Sequence, residues 1–152
     1  WTKQGLRWGG VRFRDFYGQV VIPITGPAPD VGYLLLVGWD GYKSTMVLED
    51  ALADDVLLAD HLDGQALPPE HGAPLRLVSP RQYGYKSTKH LCAIELWTEP
   101  PPSKLGRKAH PRARVELEER HATIPGCLLR WPYRLAIPLV AYGYHRAARR
   151  NL

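Results

Sequence analysis

Cysteine is scarce in this chain: Cys92 and Cys127 are the only two. They make neither a metal-ligand spacing nor a disulfide framework. Cys92 sits in the apolar run His90–Trp97 and reads as a small core residue. No apolar run approaches the ~18 uninterrupted residues of a membrane-spanning helix. The histidines form no ligand-spaced set, and no Ser/His/Asp constellation stands out. A nucleotide-hydrolase phosphate loop is also missing. The pentapeptide Gly-Tyr-Lys-Ser-Thr occurs at 41–45 and 84–88, but a tyrosine separates glycine from lysine where that loop needs them adjacent. These absences remove zinc modules, disulfide scaffolds, P-loop hydrolases and triad hydrolases from consideration.

What is present is proline, glycine and an uneven charge. Fourteen glycines and fourteen prolines among 152 residues argue for short strands joined by stiff loops rather than a helical bundle. Residues 1–103 carry nine Lys/Arg against twelve Asp/Glu, whereas residues 104–152 carry eleven against three. The basic excess therefore belongs to the tail. Such a tail is either a solvated helical segment or a surface for an acidic partner, an anionic membrane or nucleic acid. Nucleic-acid binding by the net-negative first part is not expected.

Along the chain, Val11, Phe13 and Phe16-Tyr17 suggest a strand running into a helix, with Arg12 and Arg14 on the wet face. Residues 23–31 read as a proline-rich surface loop. Residues 32–39 form an apolar run suited to burial on both faces. Strands are also expected at 43–48, 56–61, 74–78 and 90–97, with a helical turn at 49–52. Residues 99–102 form a proline-rich exit and 103–111 a polar linker. This divides the chain into a domain over 1–103 and a basic, partly helical tail over 104–152. Residues 113–122 can form one charged helix. Residues 124–144 are apolar, with Arg130 and Arg134 inside, and Pro125, Pro132 and Pro138 are expected to break them into short pieces. That segment either packs on the domain or lies at a membrane surface. The five tryptophans read as packing or interface residues.

The stretch 63–89 is the most informative. Asp63-Gly64 is a turn, and Pro68-Pro69 stiffens the entry to His71-Gly72, whose glycine lets backbone approach a ligand. In the strand after it, Leu75 and Leu77 share one face while Arg76 lies on the other. A guanidinium in an apolar run is costly unless an anion answers it. Lys86, Ser87, Thr88 and Lys89 then add two cations and two hydroxyls. Backbone amides, hydroxyls, arginine and lysine all suit phosphate oxygens, so a cofactor phosphate is the expected ligand. The bland alternatives are an Arg76 pairing with Glu70 or Glu95, solvated lysines, and an Asp40 that serves only its turn.

The run DVLLADHLDGQALPPEHGAPLR (55–76), its continuation LVSPRQYGYKSTKHLCAIEL and the earlier DGYKSTMVLEDAL resemble the molybdopterin-binding domain of the sulfite oxidase family. The shared pattern is an apolar strand, an Asn-Gly turn, Pro-Leu-Pro, His-Gly, Pro-Leu-Arg, Gly-x-Lys-x-x-Lys and Ile-Glu-Leu, with Asp63 in place of the asparagine. It covers roughly residues 1–98. The tail does not resemble the immunoglobulin-like dimerisation domain of the eukaryotic sulfite oxidases and looks more like the small bacterial members. The resemblance implies an α+β fold of several mixed sheets. It also implies a molybdenum–molybdopterin cofactor and oxygen-atom transfer on a small oxo substrate such as sulfite or a sulfoxide. A cytochrome or membrane subunit would be the electron-transfer partner. Cofactor contacts would fall on His71, Arg76, Lys86, Ser87 and Lys89, with Asp40 and Tyr42 on the substrate side. The family's metal-ligand cysteine lies a few residues before a Trp-Ser or Trp-Thr pair, here Trp1-Thr2, so no metal ligand is assigned. Cys92 and Cys127 do not match that position. The expectation is a piece of an enzyme that binds the pterin without the thiolate. The alternative is a non-catalytic module whose basic tail engages its partner.

Overall fold

A computed structural model describes residues 5–101 and 110–148; Trp1-Thr2 lies outside them. Strand β1 (Trp8–Arg12) runs directly into a continuous helical stretch. This comprises α1 (Phe13–Phe16), a π turn (Tyr17–Val21) and α2 (Ile22–Thr25), closed by the Gly26 N–H on the Ile22 carbonyl. The helix therefore extends through Pro23 into the stretch expected to be loop. Pro23 falls in the first turn of α2, where a missing N–H costs little.

Two antiparallel sheets complete the domain. One joins β1, β4 (Leu57–Leu62) and β5 (Gln65–Ala66), with β6 (Arg76–Val78) also on β4. The other has the order β3-β2-β7, from β3 (Lys43–Val47), β2 (Tyr33–Gly38) and β7 (Leu91–Trp97). This is the expected α+β architecture of several sheets with short helices. Helix α3 (Leu48–Ala51) is a single turn. The core forms where Phe13, Leu34, Leu36, Met46 and Leu77 meet, all fully buried. Leu34, Leu35 and Leu36 are buried in succession, as the apolar run predicts for a strand covered on both faces.

Local chemistry sets the strand ends that matter. At β1, a bulge between Gly9 and Gly10 shifts the register against β4. Gly10 has φ +156°, and a Cβ there would lie 2.0 Å from the Leu58 carbonyl oxygen. Only glycine fits, and the bulge leaves Trp8 opposite Leu62. Asp63 and Gly64 both take positive φ in the β4–β5 turn, and the Asp63 carboxylate accepts the Arg7 N–H at 2.8 Å. Aspartate thus suits this turn as asparagine would. The β6 segment ties the sheets together, because Leu77 N–H donates to the Thr88 carbonyl and Leu91 N–H to the Leu75 carbonyl.

Three expectations are corrected. Residues 113–122 are not a helix. Ala113 and Glu118 have left-handed φ values of 53° and 52°, and this segment is pinned to the domain as a strap. Tyr83 N–H donates to Ala113 O, Val115 N–H donates to Arg81 O, and Gln82 bridges to Arg114. The Glu119 carboxylate accepts the Arg114 backbone N–H and two of its guanidinium N–H groups, which closes the turn more locally than a helix could. Residues 126–148 are one helix, α4 (Gly126–Ala148), with Pro132 and Pro138 inside it. Each ring deletes one N–H, but both prolines are exposed and the amides between them continue the spiral. The described side chains Leu128, Trp131, Leu135 and Tyr142 are exposed, so this face does not pack on the domain. Cys92 is exposed as well. Its thiol donates to the Val37 carbonyl at 3.4 Å.

Candidate anion site

The site is built around Arg76. Alternation along β6 sends Leu77 into the core and Arg76 to the opposite face, where it is 9% exposed. Its guanidinium is held by backbone alone. One N–H donates to the His71 carbonyl at 2.7 Å, another to the Ser87 carbonyl at 3.4 Å, and Nε reaches the Leu77 carbonyl at 3.5 Å. The plane lies over the Trp8 ring, 4.7 Å from its centroid, a cation–π arrangement. Among the described residues no carboxylate forms an ion pair with Arg76, so the pairings with Glu70 or Glu95 do not occur. Burial pushes its pKa below the ordinary value. A guanidinium has five N–H donors, and two remain unspent here.

Lys89 is the second cation. Its amine donates to the Glu70 carbonyl at 2.6 Å. Burial, and then the charge of Arg76, lower its pKa, with Glu70 and Asp40 opposing. The mutual influence places Arg76 and Lys89 in one electrostatic environment. Gly72 makes that approach feasible. Its φ is +107°, and a Cβ would stand 2.8 Å from Cβ of Lys89. His71 contributes its carbonyl to Arg76, and its ring meets Trp8 edge-on at 6.4 Å. Ser87 contributes its carbonyl to Arg76, while its Oγ accepts the Ser79 N–H at 3.1 Å. His71, Arg76, Ser87 and Lys89 are thus brought together.

Lys86 is elsewhere. It is 2% exposed, and its amine donates to the carbonyls of Thr45 and Pro111. It ties β3 to the strap rather than joining Arg76. Asp40 accepts the Tyr42 N–H at 2.9 Å and contributes to the field on Lys89. The Tyr42 hydroxyl donates to the Tyr85 carbonyl at 2.7 Å. Burial first, and then Asp40, raise its pKa, so it stays a protonated donor. The two Gly-Tyr-Lys-Ser-Thr copies therefore touch directly, Tyr42 on Tyr85 and Lys86 on Thr45.

Trp8 is the residue that sequence reasoning did not single out. The signal was there in principle, since its neighbour Gly9-Gly10 invites a bulge beside β4. Trp8→Ala leaves the hydrogen bonds of Arg76 intact but removes the stacking surface, worth ~1 kcal/mol. About a fivefold weakening of anion retention is expected, with Trp8→Phe recovering most of it, measured by equilibrium dialysis of the bound group.

The arrangement fits an anionic, phosphate-bearing group such as molybdopterin. The observation is a desolvated guanidinium with two unspent donors and no carboxylate answering it, beside a lysine whose amine uses one of three donors. Arg76, Lys89, Ser87 and the His71-Gly72 turn would hold that group. Among the described residues no cluster of His, Cys, Asp and Glu could bind a metal ion by itself.

Comparison with known proteins points the same way. The family described as oxidoreductase molybdopterin binding domain matches residues 1–105. The chain is similar to the uncharacterized oxidoreductase YuiH of Bacillus subtilis. The two are 36% identical over 102 residues, which make up 67% of this chain and 49% of that protein. Among solved structures it is similar to the sulfane dehydrogenase SoxCD from Paracoccus pantotrophus. That match has a TM-score of 0.52 and 28% identity, covering 57% of this chain and 23% of the other. The chain spans about half the length of its curated relative and less than a quarter of its structural one.

Proposed function

The chain belongs to the oxidoreductase molybdopterin binding domain family, and from that premise we propose that it is the cofactor-holding part of a two-electron oxidoreductase acting on a small oxo or sulfur compound. The kind of protein, a molybdopterin-dependent oxidoreductase, follows from the family. The substrate class draws on the name of the sulfane dehydrogenase; sulfite and sulfoxides fit it. The observation that carries the reading is the unanswered charge of Arg76.

When bound, the cofactor supplies oxygen-atom transfer coupled to two-electron redox chemistry. The chain's own residues bind and orient. Arg76 would give two N–H donors to a phosphate, and Lys89 would add a point charge. The His71-Gly72 turn holds both in register. Asp40 favours the charged form of Lys89. Tyr42, whose proton is engaged by Tyr85, braces the substrate side rather than exchanging protons. Electrons would leave to a separate carrier, a cytochrome or membrane subunit.

The test is direct. The protein is purified at its natural full length. Its molybdenum is measured by elemental analysis and its pterin by the fluorescence of the oxidised, released cofactor. Near-stoichiometric pterin is expected. A folded protein that carries neither sinks the reading.

A further inference from the structure

Among the described residues, nothing packs on one apolar stripe of α4. Leu128, Trp131, Leu135 and Tyr142 fall at i, i+3, i+7 and i+14, which is one face of a 3.6-residue helix. Their exposures are 68%, 68%, 74% and 66%. The helix has 23 residues, so it extends about 34 Å. The strap touches it near its start, where Arg130 lies 3.5 Å from the Glu118 carboxylate. An apolar face of this size standing in water is costly, and such faces mark interaction surfaces.

We propose that α4 lies in the plane of an anionic membrane surface, with this stripe in the headgroup–acyl boundary. Three observations select that occupant. First, the stripe is aliphatic at Leu128 and Leu135 but carries an indole and a phenol at Trp131 and Tyr142. These are the side chains whose apolar body and polar tip suit the interface. Second, the flank is cationic. Arg134 borders the stripe, with its guanidinium 6.0 Å from the Trp131 ring centroid. The sequence from residue 104 onward carries eleven Lys/Arg against three Glu, which complements anionic lipid. Third, among the described residues no helix is long and apolar enough to cross a bilayer, so the helix would lie along the surface rather than through it. A second copy of this chain is the weaker occupant. Pairing two such stripes would set the basic flanks side by side, and like charges oppose that contact. The inference does not depend on the cofactor and survives or fails independently of it.

The experiment is flotation of the full chain with vesicles of phosphatidylcholine alone and of phosphatidylcholine with phosphatidylglycerol. The protein should float with the anionic vesicles, less so as salt rises, and only weakly with the neutral ones. Leu128→Glu with Leu135→Glu should lower partitioning at least ~10-fold. Arg134→Gln should lower it ~5-fold on anionic vesicles and leave the neutral baseline unchanged. Ile24→Glu, an exposed apolar residue on α2, should change nothing. Circular dichroism melts check that the variants fold, and the salt and Arg134 arms stand even if the double variant does not. The inference is overturned by absence of flotation on either vesicle, or by equal flotation of the double variant. It is also overturned if light scattering shows a dimer that the double variant converts to monomer, which would assign the stripe to a second copy.

Discussion

Arg76→Met should abolish cofactor retention while leaving the apo-protein about as stable as before. The two halves of this expectation have different causes. In the loaded protein the guanidinium would be half of a desolvated, hydrogen-bonded charge pair. Truncating one member of such a pair costs ~2–5 kcal/mol, at least ~30-fold in affinity. In the apo-protein the same guanidinium is a buried cation that no carboxylate answers. Removing it relieves a desolvation cost. Against that relief stand the carbonyls of His71, Ser87 and Leu77, which lose their donors, two of them at long range. The opposing effects are of similar size, so the net change should stay within ~1 kcal/mol. Arg76→Lys keeps the charge but loses the fork and the stacking on Trp8, and should fall between the two. The measurements are pterin fluorescence per protein and urea unfolding of the apo form. A variant that unfolds yet still binds pterin when refolded would make Arg76 a structural tie and remove the anion site.

Much of this was legible from residue order, and the reasons are local. The alternation Leu75-Arg76-Leu77 decides which side of a strand faces the core, and it did so correctly because strand period is a backbone property. The Asp63-Gly64 turn followed from two residues that tolerate positive φ. What could not be read was anything set by distant neighbours. Lys86 looks like Lys89 in sequence, three positions away on a short loop. A 3-10 turn at Gly84–Lys86 sends its amine inward to β3 and the strap, while Lys89 goes to the Glu70 carbonyl. Cys92 looked buried because its neighbours are apolar, but what covers each face of β7 is set by distant chain, and there Leu91 is buried while Cys92 is exposed. The supposed helix at 113–122 has helical composition, and Arg114 with Glu119 overrode it by closing a tighter turn. Trp8 was one tryptophan among five until the bulge at Gly9/Gly10 placed it under Arg76.

The inward turn of Lys86 carries the second large effect, a stability that depends on pH in alkali. Burial lowers the Lys86 pKa from 10.5 to about 8, with Asp50 opposing the shift. Below pH 8 the folded protein holds a charged, desolvated amine that the unfolded chain would leave in water, and stability suffers the full cost. Between pH 8 and 10.5 the folded form has released this proton while the unfolded form still binds it. Stability therefore rises with pH across that window. Above 10.5 both states are neutral and the gain is complete, ~3 kcal/mol for such a shift. Lys86→Met removes the titration. It also removes the donors to Thr45 and Pro111, which a neutral amine would keep. The two proteins should therefore be close in stability at pH 7, where the lost donors and the relieved charge offset each other. The parent should pull ahead steadily as pH rises through 8 to 10. Lys89 and Tyr42 also titrate in alkali, but both are present in each protein and cancel in the difference. Guanidinium unfolding of the pair at pH 7, 8.5 and 10 reads it directly. A difference that stays flat with pH would mean that the Lys86 amine meets water in the folded state. It would then not hold β3 to the strap in the way its two carbonyl partners require.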